Sequence, residues 1–425
     1  MKKMNLFVQE VYAPTETGLK FNYQRTNINF TTMKRIIVLA LAIMTMWSAQ
    51  AQETKPERIP WFVERGETPE WYAAQIEAWE KVVAREPKNE EAWSHLSRAT
   101  RYKLMLGDGD WQPLHDLNER MAKAIPDTYT YHFSARFDQD ETQAENHLER
   151  AYQLMPSDRN LGEEFGSFIA YFWRKGKWKE LEEVSRRYYA DRSVPTSLLR
   201  YNYNELQCLP ENAIYFGNGD PILLPKMAIQ YGMKVHQDKM VICASFLCVE
   251  SYYKMVCKQL GIVPEKFDIA DYQTETGWKK YLLERIRYII QQSGRPSYFS
   301  PSSLSDGSGL KALKENLYNE GLVLRYSEEP YDNYARVREN LERNIRLDYL
   351  LEPEFIIEPE WESANSLTFN YFILLSPLIK KYKEWNNPER SEWLKNLLTT
   401  ALKQSKMEGI LKKECQEYLK KYSNE

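Results

Sequence analysis

The stretch that decides the fold is residues 212–262, NAIYFGNGDPILLPKMAIQYGMKVHQDKMVICASFLCVESYYKMVCKQLGI. Its hydrophobic pattern predicts a short apolar strand, a polar turn, a helix, a second apolar strand and a second helix. A strand–helix–strand unit of this kind implies a parallel sheet with right-handed crossovers. The polar turn after the first strand is Gly217-Asn218-Gly219-Asp220. Ligands of open α/β sheets bind at the carboxyl ends of strands, so this turn is a candidate site.

The rest of the segment continues the same alternation. Residues 213–216 and 240–247 are the first two expected strands. Asp220 is expected to cap a helix over 221–232, because Asp is a favoured N-cap residue and Pro suits the first turn. Further helices are expected over 250–260, 277–292 and 311–320, and further strands over 295–299 and 322–326. We therefore expect a small parallel α/β, Rossmann-like module over residues 201–330.

Three stretches of this module resemble a known family. They are AIYFGNGD at 213–220, RPSYF at 295–299 and EGLVLRY at 320–326. In this order they resemble the soluble module of large bacterial envelope membrane proteins of unknown function, whose membrane part looks like a glycosyltransferase of the protein-mannosyltransferase type. The resemblance implies a place in the cell envelope, but it covers only the soluble module and does not imply glycosyl transfer. After Asn-Gly-Asp the family continues Asn-Asp-Thr, whereas this chain has Pro-Ile-Leu at 221–223, which removes polar groups from the loop.

Residues 68–190 have helical spacing of their apolar side chains. Thr68-Pro69 is a helix start, with a capping residue followed by a proline suited to the first turn. Pro87 and Trp93 resemble the closing proline and the opening aromatic residue of a tetratricopeptide repeat joint, and further prolines recur at uneven intervals. The resemblance implies a concave surface that binds peptides or partner proteins. A generic array of helical hairpins, which has the same stacking physics, remains the alternative.

Residues 33–51 have the three-part pattern of a secretory signal. Lys34-Arg35 is basic, 36–47 is uncharged and mostly apolar, and small residues precede Gln52. The apolar run is shorter than the roughly 20 residues of a membrane span, and a buried helix is the alternative. We expect the mature chain to begin near Gln52 and to be periplasmic or otherwise exported, without a membrane span.

The net charge and the cysteine spacing argue against some classes of partner and cofactor. The chain carries 57 Lys and Arg against 60 Asp and Glu, a net charge of −3, and most nucleic-acid-binding proteins are basic. Nucleic acid is therefore not an expected partner. No Cys-x-x-Cys and no zinc-like Cys/His spacing occurs, so no metal or cofactor is expected. An odd number of cysteines in an exported protein leaves at least one thiol free or paired between two chains. The cysteines are Cys208, Cys243, Cys248, Cys257 and Cys415.

The candidate ligand-binding residues lie after two of the expected strands. They are Asn218, Gly219 and Asp220 after the first, and Ser300, Ser302 and Ser303 after the third. Backbone N–H groups at helix starts would converge there, as they do in anion sites. The structural alternative is that Asp220 only caps the next helix and Asn218 only fits the tight turn. The third glycine of a dinucleotide fingerprint is missing, and there is no Gly-x-Ser-x-Gly elbow.

No acid–base or nucleophile constellation stands out, so we expect an exported binding or scaffold protein of the cell envelope rather than an enzyme. An envelope protein or peptide on the helical surface is the expected partner, with a glycan as a further ligand. The alternative is an envelope glycan-related enzyme with its site at the turn after the first strand. The expected chain is a multidomain α+β protein, with signal region 1–51, helical repeats 52–200, α/β module 201–330 and C-terminal helical region 331–425.

Overall fold

The computed structural model describes most of the chain that follows the expected signal region. The described residues are 54–62, 64–107, 110–267, 277–304, 310–352, 362–405 and 407–424. They form two compact units. The first contains Glu67–Pro156 and the described residues up to Pro60, and the second contains Trp61–Gly66 and the described residues from Ser157 onward. The expected signal at 1–51 lies outside the described residues, and the boundaries expected at 200 and 330 remain predictions.

The first unit is helical. Its described helices are α1 (Pro69–Arg85), α2 (Glu90–Met105), α3 (Gln112–Ala124), α4 (Tyr129–Ala135) and α5 (Glu141–Gln153). Helix α1 begins as the sequence indicates, because Thr68 Oγ1 accepts a hydrogen bond from the Trp71 amide at 3.2 Å. Helix α1 packs against α2, and α4 packs against α5. Each hairpin thereby buries an apolar face. The helical prediction for this part is confirmed, and the assignment to tetratricopeptide repeats remains a prediction.

The second unit combines a small sheet with helices. Its strands are β1 (Ile214–Gly217), β2 (Met240–Cys243), β3 (Ser297–Phe299), β4 (Leu317–Asn319) and β5 (Leu324–Tyr326). Its described helices are α6 (Glu164–Lys175), α7 (Trp178–Ala190), α8 (Thr196–Cys208), α9 (Asp220–Met227), α10 (Glu250–Leu260), α11 (Gly277–Ser293), α12 (Tyr334–Glu339), α13 (Asp348–Leu351), α14 (Glu362–Leu375), α15 (Pro377–Glu384), α16 (Pro388–Gln404) and α17 (Gly409–Asn424). Two π turns, Ala228–Gly232 and Asn340–Asn344, extend α9 and α12.

The sheet is mixed, with strand order β2-β1-β3-β5-β4. Strand β1 pairs in parallel with β2 and β3, so that Tyr215 lies opposite Val241 on one side and Tyr298 on the other. Strand β5 runs antiparallel to both β3 and β4. The prediction of an entirely parallel sheet is therefore wrong. Strands β4 and β5 form a hairpin, and antiparallel neighbours need no crossover helix.

Three finer expectations also need correction. Residues 311–320 do not form a helix, because a 3-10 turn at Leu310–Asn316 leads directly into β4. The second strand ends at Cys243, where the chain turns into a short 3-10 segment. The N-cap of α9 is Gly219 rather than Asp220. Gly219 has a φ of +86°, a backbone conformation that favours glycine.

Helix α8 anchors the core of the second unit. It packs against α9, α14 and the Asn340–Asn344 turn. All four residues of β1 are buried. The five cysteines are free thiols, and all except Cys248 are buried. Among the described residues, no helix is both long and apolar enough to cross a membrane.

Candidate ligand-binding site

The turn after β1 links two loops of the sheet. Asn218 Oδ1 accepts a hydrogen bond from the Ser245 amide, in the loop after β2, at 2.9 Å. Asp220 is exposed in the first turn of α9. Asn218 therefore has a structural partner that the sequence did not reveal, since Ser245 lies beyond a whole helix and strand.

The predicted serines do not form one surface with this turn. Ser300 is fully buried, its amide donates to the Phe216 carbonyl at 3.0 Å, and its hydroxyl lies 3.5 Å from Glu205 Oε1. Ser302 is exposed in a 3-10 turn, Pro301–Leu304. The side chain of Ser303 and the loop 305–309 lie outside the described residues. Strands β1 and β3 are adjacent, as predicted, but Ser300 is engaged with Glu205.

Glu205 and Lys226 form a buried ion pair next to this edge. Lys226 Nζ lies 2.5 Å from Glu205 Oε2 and 2.6 Å from Asn202 Oδ1. Tyr215 donates its hydroxyl to Glu205 Oε1 at 3.0 Å. Burial raises the pKa of Glu205 and lowers the pKa of Lys226, while the attraction between the two charges opposes both shifts. Both side chains have no exposed surface, so this network connects α8, α9 and β1 and does not face a ligand.

A cavity of about 720 Å³ lies elsewhere in the second unit. It is within the size range of small-molecule sites. We call it the Glu320 cavity, after the carboxylate in the turn between β4 and β5. Its lining consists of Pro210, Pro296, Tyr298, Glu320, Arg325, Tyr331, Asp332, Ala335, Arg336, Arg338, Glu339, Glu342 and Arg343.

The hairpin turn places Glu320 in the cavity. Gly321 follows it with a φ of +106°, and a Cβ at this position would lie 3.1 Å from Asn340 Cβ. Asn340 Nδ2 donates to the Glu320 carbonyl at 2.6 Å, which joins the hairpin to the π turn after α12. The turn therefore needs glycine. It fixes the backbone of Glu320 against the helix that carries Arg336 and Arg338.

Both carboxylate oxygens of Glu320 are engaged, and only 2% of the residue is exposed. Tyr298 donates its hydroxyl to Oε2 at 2.8 Å, and Tyr331 donates to Oε1 at 2.6 Å. Arg325 Nη1 lies 3.4 Å from Oε1. Burial and the charge of Glu320 raise the pKa of both tyrosines, so their hydroxyls remain protonated donors. Three neighbouring side chains thus hold the Glu320 carboxylate in place.

The other carboxylates of the lining have partners as well. Glu339 Oε2 lies 2.6 Å from Arg336 Nη1, and Asp332 Oδ1 accepts from the Tyr334 amide at 3.0 Å. Glu342 Oε1 accepts from Tyr382 at 2.6 Å. Each of these carboxylates therefore already has a hydrogen-bond partner within the protein.

Two arginines of the lining lack such partners. Arg338 and Arg343 are exposed and form no ion pair with any described carboxylate. The Arg338 guanidinium lies 5.1 Å from the ring centroid of Trp385, a cation–π contact that holds it in place. Arg338 comes two residues before the π turn Asn340–Asn344, and Arg343 lies within it. Single π turns in helices are frequent at functional sites. The cavity can therefore bind an anion through two guanidinium groups.

Reasoning from the sequence did not find this site. The available signal was the run YARVRENLERN at 334–344, which contains three arginines within eleven residues. Its partners, Glu320 and Trp385, are distant in sequence. Among the described residues, no group of three or more His, Cys, Asp or Glu side chains could hold a metal ion.

Comparison with known proteins gives no relative: no protein-family model, curated protein or solved structure matches this chain. The two resemblances drawn from the sequence therefore remain predictions.

Proposed function

We propose that this chain is an exported, noncatalytic binding protein of the bacterial cell envelope, and that the Glu320 cavity takes the carboxylate groups of an acidic peptide segment. The observation that carries the proposal is the asymmetry of the lining. Its carboxylates are engaged by the protein, whereas Arg338 and Arg343 have no described acidic partner. Guanidinium groups form bidentate, charge-assisted hydrogen bonds with carboxylates, and this is the strongest interaction that the cavity offers.

A binding role fits the chemistry of Glu320 better than a catalytic one. A general base must lie within hydrogen-bond reach of the proton that it takes from its substrate. Both oxygens of Glu320 accept hydrogen bonds from tyrosines, and its surface is almost wholly buried. The carboxylate is therefore suited to holding Arg325 and the two tyrosines in place.

The helical unit supplies a second part of the proposal. Helices α1 and α2 pack against each other, as do α4 and α5, in the manner of stacked helical hairpins. Arrays of this kind bind peptides or partner proteins, and we assign this unit the role of an envelope-protein platform. The competing idea, a glycan-related enzyme at the turn after β1, receives no support from the buried Ser300 or from the engaged Asn218.

Calorimetric titration of the full-length protein with hexaglutamate, and with hexaglutamine as the uncharged peptide, tests the cavity. We expect saturable binding of hexaglutamate only, which weakens as salt is raised. The double variant Arg338→Gln/Arg343→Gln should bind at least about tenfold more weakly, since hydrogen bonds to charged groups contribute about 1.5–3 kcal/mol each. Arg346→Gln is the matched control, because Arg346 is an exposed arginine outside the cavity lining. Equal weakening by Arg346→Gln, or no saturable binding, would refute the proposal.

Export has its own test. The motivating observation is the signal-like pattern at 33–51. N-terminal sequencing of the protein recovered from the periplasm should begin near Gln52. A cytoplasmic protein that retains Met33 would contradict the envelope location.

A further inference from the structure

A second cavity, of about 320 Å³, lies in the same unit at the amino ends of the parallel strands. Met240 is the first residue of β2, and Arg295 comes just before β3. The cavity is thus at the opposite end of these strands from the turn after β1. We call it the amino-end cavity. The side chains that matter for its chemistry are Trp173, Trp178, Tyr231, Gln230, Gln237 and Gln259.

Aromatic side chains are part of the lining of the amino-end cavity. Trp173 is 4% exposed and is fixed by edge contacts with Phe246 and Tyr252, whose ring centroids lie 6.0 and 6.2 Å away. Trp178 is partly exposed, and its indole N–H has no hydrogen-bond acceptor among the described residues. An indole ring of this kind offers an apolar face and a polar edge to the same ligand.

The charged groups of the lining are already satisfied. Lys239 Nζ lies 2.9 Å from Asp238 Oδ2. Arg295 donates to the backbone carbonyls of Asn212 and Asp238, the latter at 3.4 Å. Burial lowers the pKa of Arg295, and the charge of Asp238 opposes this shift. Unlike the Glu320 cavity, this one therefore contains no exposed cation that lacks a partner within the described structure.

Uncharged amides remain to bind a ligand. Gln237 and Gln259 are exposed, and their side chains make no hydrogen bond to any described group. Gln230 is buried, and its amide nitrogen donates to the carbonyls of His236 and Lys239 at 2.7 Å each. These two bonds fix the amide and leave its oxygen without a donor in the described structure. Three amides thus supply both donors and acceptors next to an indole.

We propose that the amino-end cavity binds a neutral carbohydrate. A sugar has hydroxyl groups that both donate and accept hydrogen bonds, which matches amide side chains. It also has a face of C–H groups that packs on an aromatic ring. A charged ligand would find no free counter-charge here, and a purely apolar ligand would leave the amides without partners, which costs free energy.

Titration of the full-length protein with neutral di- and trisaccharides of hexoses and N-acetylhexosamines, followed by tryptophan fluorescence and calorimetry, tests the inference. We expect saturable binding of at least one sugar. Trp178→Ala should weaken it at least about tenfold, a change that calorimetry resolves well. Gln259→Ala removes an exposed side chain and should also weaken binding, with no change in melting temperature.

Two controls make the result specific. Trp393 is a partly exposed tryptophan on α16, far along the chain from the cavity lining, and Trp393→Ala should leave sugar binding unchanged. Arg338→Gln/Arg343→Gln should also leave it unchanged, so this test is separate from that of the acidic peptide. Absence of saturable binding for every sugar, or equal weakening by Trp178→Ala and Trp393→Ala, would overturn the inference.

Discussion

Lys226 lies with its ammonium nitrogen 2.5 Å from Oε2 of Glu205, and neither side chain has any exposed surface. Because charges lose their hydration when buried, such a pair is costly to form and more costly to break. Tyr215 and Asn202 complete the hydrogen bonds of the two groups. The pair and its hydrogen-bond partners thus join α8, α9 and β1. Because both side chains are fully buried, solvent does not reach the charge that remains if one partner is removed.

Lys226→Met should therefore destabilise the protein strongly. It leaves Glu205 buried without a counter-charge, and the expected loss in the free energy of unfolding is about 3–5 kcal/mol. The double variant Glu205→Leu/Lys226→Met should recover much of this loss, because apolar replacements of buried pairs are often close to neutral. Urea denaturation measures both values.

The exposed pair of Lys234 and Glu182, at 3.3 Å, provides the control. Lys234→Met should cost no more than about 1 kcal/mol, as is usual for solvated ion pairs. If Lys226→Met costs as little as Lys234→Met, the buried pair does not have the structural role that we give it.

Asn218→Ala and Asp220→Ala should separate a structural turn from a binding turn. Asn218→Ala leaves the Ser245 amide without its acceptor and should cost about 1–2 kcal/mol. Asp220→Ala removes an exposed charge near a helix start and should cost at most about 1 kcal/mol. Both variants should bind hexaglutamate with unchanged affinity. Lost affinity with an unchanged melting temperature would return this turn to the list of candidate sites.

In the helical unit, His132 and His147 share a hydrogen bond between their Nδ1 atoms, which lie 2.8 Å apart. One ring must donate and the other accept, so the contact fails when both rings are protonated. Asp127, Arg150 and Asp138 are the charged groups that act on the pair. Burial lowers the pKa of both imidazoles below the usual 6.5, and for His132 the charge of His147 adds to this effect.

This pair makes stability depend on pH. The folded pKa values are depressed, so the unfolded chain binds more protons, and stability is lost as the pH falls below 6.5. The expected contribution is on the order of 1 kcal/mol or less, since the pair is only partly shielded from solvent. His147→Gln should flatten the pH profile of thermal unfolding above about pH 5, where carboxylates are still ionised. His115→Gln is the control, and an equal flattening by both variants would contradict the assignment.

The sequence predicts an element correctly where residues adjacent in the chain determine where that element begins or ends. Helix α10 runs over Glu250–Leu260, as expected, because Gly261 takes the left-handed conformation that ends it, with a φ of +71°. Thr68 caps α1 for the same kind of local reason. The predicted order of strands and helices up to β3 also agrees with the structure in outline.

Long-range pairing explains what the sequence did not reveal. Residues 311–320 have a helix-like composition, but Leu317–Asn319 pair with β5, and Gly321 makes a hairpin turn instead of ending a helix. The same turn places Glu320 against Tyr331. The rule that ligands bind at the carboxyl ends of parallel strands drew attention to the turn after β1. It does not extend to a cavity formed by an antiparallel hairpin and a later helix.

The most direct test of the central claim is a crystal structure of the full-length protein with bound hexaglutamate. We predict peptide carboxylates in the Glu320 cavity, with oxygens about 3 Å from the guanidinium nitrogens of Arg338 and Arg343. Glu320 should keep its hydrogen bonds to Tyr298 and Tyr331 in that complex. A peptide ordered against Asn218 and Asp220, with only solvent beside Arg338 and Arg343, would contradict the account.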